Sequence, residues 1–238
     1  MRILAIDWSG RRTNAQAAIW LAEATDGELV RIEGGRDRDE MIAHLLAEAE
    51  RDPKVVVGLD FAFGLPEWFA RQLGARDAHT LWRLVAEQGE EWLRNPEPPF
   101  WRTRRPELDG SAFRRTEVAV TAPRIHPKSV FQLGGAGNVG TGSLRGMPFL
   151  LQLAELFAIW PFDEPRLPLV VEVYPRLHLE SGLARRLPPV PNEHARDAAA
   201  TALAMSAWDS DWTRLPRDTV DQLEGRIWRP RLRLHSDP

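Results

Sequence analysis

The sequence predicts an α/β fold, a mixed sheet flanked by helices, and three observations carry that expectation. Residues 2–7 and 55–60 are short apolar runs that each end in an aspartate. Without polar alternation, such runs suit strands buried on both faces. A helical pattern over residues 37–51 separates them, which is the length of a crossover and implies two parallel strands in one sheet. Between strand-like runs at 15–21 and 28–32 stands Asp26-Gly27, a hairpin signal because both residues tolerate positive φ.

Taken in order, residues 2–7, 15–21 and 28–32 read as an antiparallel meander. Met41, Ile42, Leu45 and Leu46 then fall at helical spacing, with acids in the first turn, until Pro53 breaks the pattern ahead of strand four. Residues 66–73 and 75–94 read as two helices, the second stopped by Pro96, Pro98 and Pro99. Within 102–128, seven arginines and lysines face three acids. The whole of 67–132 reads as a helical and loop insertion in the core fold. A glycine-rich stretch, 134–143, leads into an apolar helix over about 147–160. Residues 169–175 form the fifth strand, with Glu172 embedded in it. An alanine-rich helix over 192–205 is capped by Asn192. Residues 224–230 add an edge strand or pack on the surface.

A chain of 238 residues can bury one large core, and a single domain over 1–238 is expected. The net charge of −3 gives no global attraction to nucleic acid, so any such footprint is local. Cysteine is absent, which excludes disulfides and thiolate sites and fits a cytoplasmic protein. No apolar run is long enough to cross a membrane. Any metal must be held by oxygen or imidazole, which favours Mg²⁺ or Mn²⁺ over structural zinc.

Asp7 and Asp60 close two parallel strands of one sheet and should project into the crevice beyond their carboxyl ends, where ligands collect in such sheets. Glu172 lies in the next strand, and Asp197 lies in the first turns of the last helix. Four acids converging without partners repel one another, and divalent cations remove that cost. Two such ions about 3.5–4 Å apart are a common device for phosphodiester hydrolysis.

Ile6-Asp7, Leu59-Asp60-Phe61-Ala62-Phe63-Gly64-Leu65-Pro66, Val171-Glu172-Val173-Tyr174-Pro175 and Arg196-Asp197-Ala198-Ala199 occur in that order. Together they resemble the DUF429 family, described as predicted nucleases of the ribonuclease H-like superfamily. The resemblance implies a ribonuclease H-like five-stranded mixed sheet. It also implies Asp7, Asp60 and Asp197 as metal ligands and Glu172 as a further catalytic acid.

Several features also have structural explanations. Asp7 can cap its own turn, Asp197 can complement a helix dipole, and Glu172 can pair with a buried arginine. His194, one turn before Asp197, can be a ligand, a general base or a structural histidine. Arg124, His126 and Lys128 in the basic segment can bind a substrate phosphate, and Trp92, Phe100 and Trp101 offer stacking surfaces for nucleic acid. The glycine-rich stretch lacks the P-loop Lys-Ser/Thr ending and reads as a loop near the site. The expectation is a Mg²⁺- or Mn²⁺-dependent nuclease. Two alternatives stand beside it: an ATP-dependent phosphotransferase of actin- or hexokinase-like fold, and a non-catalytic nucleic-acid-binding module.

Overall fold

The computed structural model describes residues 1–120, 125–135, 137–179, 187–208, 211–218 and 221–229. The expected hairpin forms first. β1 (Arg2–Asp7) pairs antiparallel with β2 (Trp20–Thr25), and β2 pairs with β3 (Glu28–Gly34). Asp26 and Gly27 hold φ of 51° and 80°, the conformation that a two-residue connection requires. The second strand starts later than expected. Asn14, at φ 55°, begins a 3₁₀ turn over Ala15–Ala17, so the apolar residues there enter the core from a turn.

α1 (Arg38–Arg51) starts on Asp37, whose carboxylate accepts the Glu40 N–H while Glu40 reaches back to the Asp37 N–H. It crosses over to β4 (Val55–Leu59), which runs parallel to β1 as expected. After β4 come α2 (Glu67–Gln72), α3 (Ala78–Arg94), α4 (Arg115–Val118) and α5 (Gly140–Leu153). They are followed by β5 (Ala158–Ile159), β6 (Leu169–Glu172), α6 (Pro175–Leu179), α7 (Glu193–Ser206) and α8 (Asp221–Glu224).

The sheet has six strands in the order β3-β2-β1-β4-β6-β5, one more than the five expected. The extra strand, β5, is two residues long and pairs parallel with β6, too short to carry a sequence pattern of its own. α5 also begins earlier than its apolar residues suggest. The end of the glycine-rich stretch forms its first turn, and the helix stops at Leu153. In the tail, Ile227 makes a single bridge to Glu172.

Alternation along the parallel strands sorts the core into two layers. Leu4, Ile6, Val57, Leu59 and Val170 face the layer that contains Met41, Leu45, Leu81, Trp82 and Leu144. Ile3, Ala5, Val56 and Val171 face α7, where Ala198, Ala199 and Ala202 allow close approach. Gly58 belongs to this second contact, since a Cβ there would stand 2.6 Å from the Met205 sulfur. Of the aromatic side chains of the insertion, Phe69, Trp82, Phe100 and Phe131 are core, while Trp68, Trp92 and Trp101 are half-buried and pack against it. Trp92 stacks on Phe100 at 5.2 Å, and Phe100 meets Phe69 and Phe131 edge-on. That removes Phe100, 4% exposed, as a surface for nucleic-acid bases, while Trp92 and Trp101 stay half-buried. Among the described residues no helix is long and apolar enough to cross a membrane.

Candidate functional site

Parity and register bring the acids together. Ile6 is in register with Leu59, so Asp7 and Asp60 stand level at the carboxyl ends of β1 and β4. The Asp60 N–H continues the ladder to the Ile6 carbonyl at 3.1 Å. Ile6 and Leu59 face the first core layer, so the next residue on each strand turns toward α7. There the Asn192 side chain accepts the Ala195 N–H at 2.9 Å and fixes the start of α7. This places His194 in the first turn and Asp197 three residues later on the same side.

Asp7 is buried, 5% exposed, and its Oδ2 lies 2.7 Å from His194 Nδ1. Burial raises the Asp7 carboxyl above its ordinary value, although His194 pulls it down. His194 is raised too, first by the hydrogen bond that its Nδ1 donates to Asp7. Both directions say that the pair keeps a proton readily. Asp60 is raised well above its ordinary value, first by burial and then by the charges of Asp7, Asp197 and Glu172. Asp197 is pushed up to about 6 by burial and by Asp7. Among the described residues no ion pair reaches Asp60 or Asp197. As the side chains stand, no three of these acids and imidazoles are gathered tightly enough to hold an ion.

Glu172 does not join them as a free acid. It is in register with Leu59, not Asp60, so it turns to the opposite side of the sheet. There Arg114 binds it with both Nη atoms, at 2.8 and 2.5 Å. The buried-arginine alternative for Glu172 is the arrangement observed.

A cavity of about 890 Å³ opens over Asp60, His194 and Asp197. Its wall carries Arg11, Arg12, Arg102, Lys128, Arg145 and Arg176. Two of these are braced: Arg145 pairs with Glu90 at 2.6 Å and donates to the Gly10 carbonyl, and Arg102 donates to the Leu93 carbonyl. Arg11, Arg12 and Lys128 have no ion-pair partner among the described residues and project toward solvent. The loop that carries Arg11 is fixed by Arg38, which donates to the carbonyls of Ser9 and Arg11, each at 2.9 Å.

The glycine-rich stretch lines the same cavity through Gly137, Asn138, Val139, Thr141 and Gly142. Gly10 must be glycine for this wall to close, because a Cβ there would lie 2.5 Å from the Gly142 nitrogen. The loop expected near the site is therefore partly the first turn of α5, whose Thr141 and Gly142 line the cavity.

Of the basic residues singled out by sequence, Lys128 lines the cavity, His126 is exposed outside it, and Arg124 lies outside the described residues. Arg11 and Arg12 were not singled out, although their place two to three residues after the turn that follows a strand-end acid is a usable signal. Arg145 and Arg176 reach the site only through helix packing, which leaves no local mark. Compared with protein-family models, curated proteins and solved structures, the chain gives no match.

Proposed function

We propose that this chain is a Mg²⁺- or Mn²⁺-dependent phosphodiesterase acting on nucleic acid, built on a ribonuclease H-like sheet. The carrying observation is the concentration of unpaired negative charge. Asp7, Asp60 and Asp197 sit together at one end of the sheet, Asp60 and Asp197 form no ion pair among the described residues, and arginines and a lysine ring the cavity above them. Buried carboxylates that raise one another's pKa are costly to a fold, and a divalent cation relieves that cost. The all-oxygen donor set of Asp7, Asp60 and Asp197 suits a hard cation. When bound, such an ion supplies activation of water and stabilisation of the leaving oxygen.

The chain's own residues do the remaining work. Asp7 holds His194 by Nδ1, which leaves Nε2 to take or return a proton at the cavity floor. Arg11, Arg12 and Lys128 attract a phosphodiester backbone.

The test is a cleavage assay on end-labelled DNA and RNA, single- and double-stranded, with Mn²⁺ or with chelator. The wild type should cleave only with metal, and Asp60→Asn should not cleave. Cleavage that survives in Asp60→Asn would overturn the proposal. Protection of the wild type from thermal unfolding by ATP, without cleavage, would favour the phosphotransferase alternative.

A further inference from the structure

The fourth acid at this end of the sheet is held differently from the other three. Glu172 is 2% exposed and accepts from Arg114 on both oxygens, while the Phe63 N–H adds a third bond to Oε2 at 3.0 Å. Arg114 is 1% exposed. It also donates from Nε to Glu117 at 2.7 Å and from Nη1 to the Glu224 carbonyl at 2.8 Å. The guanidinium cannot swing away easily, because the surrounding chain is tied down. The Glu224 carboxylate accepts the Glu67 N–H at 2.8 Å and the Arg115 N–H at 2.7 Å. Three distant segments thus close over the end of β6 around one buried cation.

We propose that Arg114 is a fixed counter-cation that withdraws Glu172 from the ligand set, so that the strand-end site takes one divalent ion and not two. The ion is held by Asp7, Asp60 and Asp197. Strand parity supports this, since Glu172 leaves the sheet on the side away from α7. The space available supports it independently. The pocket shared by Asp60 and Glu172 measures about 30 Å³, and Arg114 and Lys128 also line it. That is room for about one water, whereas Mg²⁺ commonly keeps several of its own. Glu117 fits the same account. Its carboxyl is raised by burial against the pull of Arg114, so the group of two acids and one arginine can take a proton and become neutral without a metal.

The proposal rests on the reading of the acid cluster as a metal site, and its test separates the two. Mn²⁺ is titrated calorimetrically into the wild type, Asp60→Asn, Glu172→Gln, Arg114→Met and Arg114→Lys. The wild type should take one ion and Asp60→Asn none. Glu172→Gln should still take one, with affinity changed by no more than about tenfold, the small end of what an outer-shell partner is worth. Arg114→Met should gain a second ion on the released Glu172, and Arg114→Lys should return to one. If Arg114→Met does not fold, Glu172→Gln decides the matter. Two ions in the wild type, one of them lost in Glu172→Gln, would overturn the one-ion assignment and leave the metal site standing. No ion in the wild type would overturn both.

Discussion

At its amino end β1 begins with Arg2, which donates to Glu23 and Glu48, while its carboxyl end presents Asp7 beside Asp60 and Asp197. Arg31 adds a second cation for Glu23 at 2.6 Å, and Arg51 adds one for Glu48. Against the upward pull of burial, Arg51 and Arg2 hold Glu48 down at about 2. Glu23 is held down in the same way by Arg2 and Arg31. Asp7, Asp60 and Asp197 at the other end move up. Six strands share both ends, so burial alone does not make the difference. What differs is whether evolution supplied arginine partners within reach. Paired acids hold the sheet to α1, and unpaired acids keep the capacity to bind a cation or move a proton. The Arg114 cluster is the amino-end arrangement repeated beside the carboxyl-end site, and it marks where the acids without arginine partners stop.

The sharpest way to break this comparison is Asp60→Asn. Cleavage should fall by about 10³-fold or more, as for other residues that act as part of a unit. Melting in chelator should rise by about 2–4 °C, because a repelling charge is gone. A fall in melting temperature would mean that Asp60 is a structural acid after all. Arg114→Met comes next. It leaves Glu117 and Glu172 buried without their cation, and urea unfolding should show a loss of about 3–5 kcal/mol. Adding Glu172→Gln to it should recover part of that loss, and an additive double variant would deny the pairing.

Arg2→Met should cost less, about 1–2 kcal/mol by the same measurement, since Glu23 keeps Arg31 and Glu48 keeps Arg51. The smallest effect is the pH profile of stability. Glu48 sits at about 2, below its ordinary 4.5, so its contribution is present above 4.5 and is lost as the pH falls toward 2. Asp197 sits at about 6, above its ordinary 3.8, so its contribution is present below 3.8 and is lost as the pH rises through 6. His194, raised above 6.5, acts in the same direction as Asp197. Metal-free protein should therefore lose stability between about pH 4.5 and pH 6 through Asp197, and further above pH 6.5 through His194, and saturating Mn²⁺ should flatten that limb. Stability that rises over this interval in chelator would erase the contrast between the two ends.

Much of this site was legible before any coordinates. The apolar runs ending in Asp7 and Asp60, and the capped helix that carries His194 and Asp197, have local signatures of period 2 or 3.6. Such patterns survive in a linear chain. The extra strand β5 did not, because two residues cannot show a period. α5 was started too late because glycine reads as loop, whereas Gly140 is helical here and lies where a Cβ would stand 2.2 Å from the Val130 carbonyl oxygen. Phe100 was read as a stacking surface because nothing local distinguishes a core aromatic residue from an exposed one.

The sequence by itself determined that acids end two parallel strands of one sheet, because strand, crossover and terminal aspartate are all written in consecutive residues. It also determined that any metal here meets oxygen or imidazole, because the chain holds no cysteine. Only the tertiary structure decided which acids share a face. Asp7 and Asp60 stand level and turn toward α7, while Glu172 is in register one residue earlier and turns toward Arg114, 58 positions away in the chain. A shift of one residue in strand register reverses the side a side chain occupies, and register is fixed by pairing between strands that no single segment encodes.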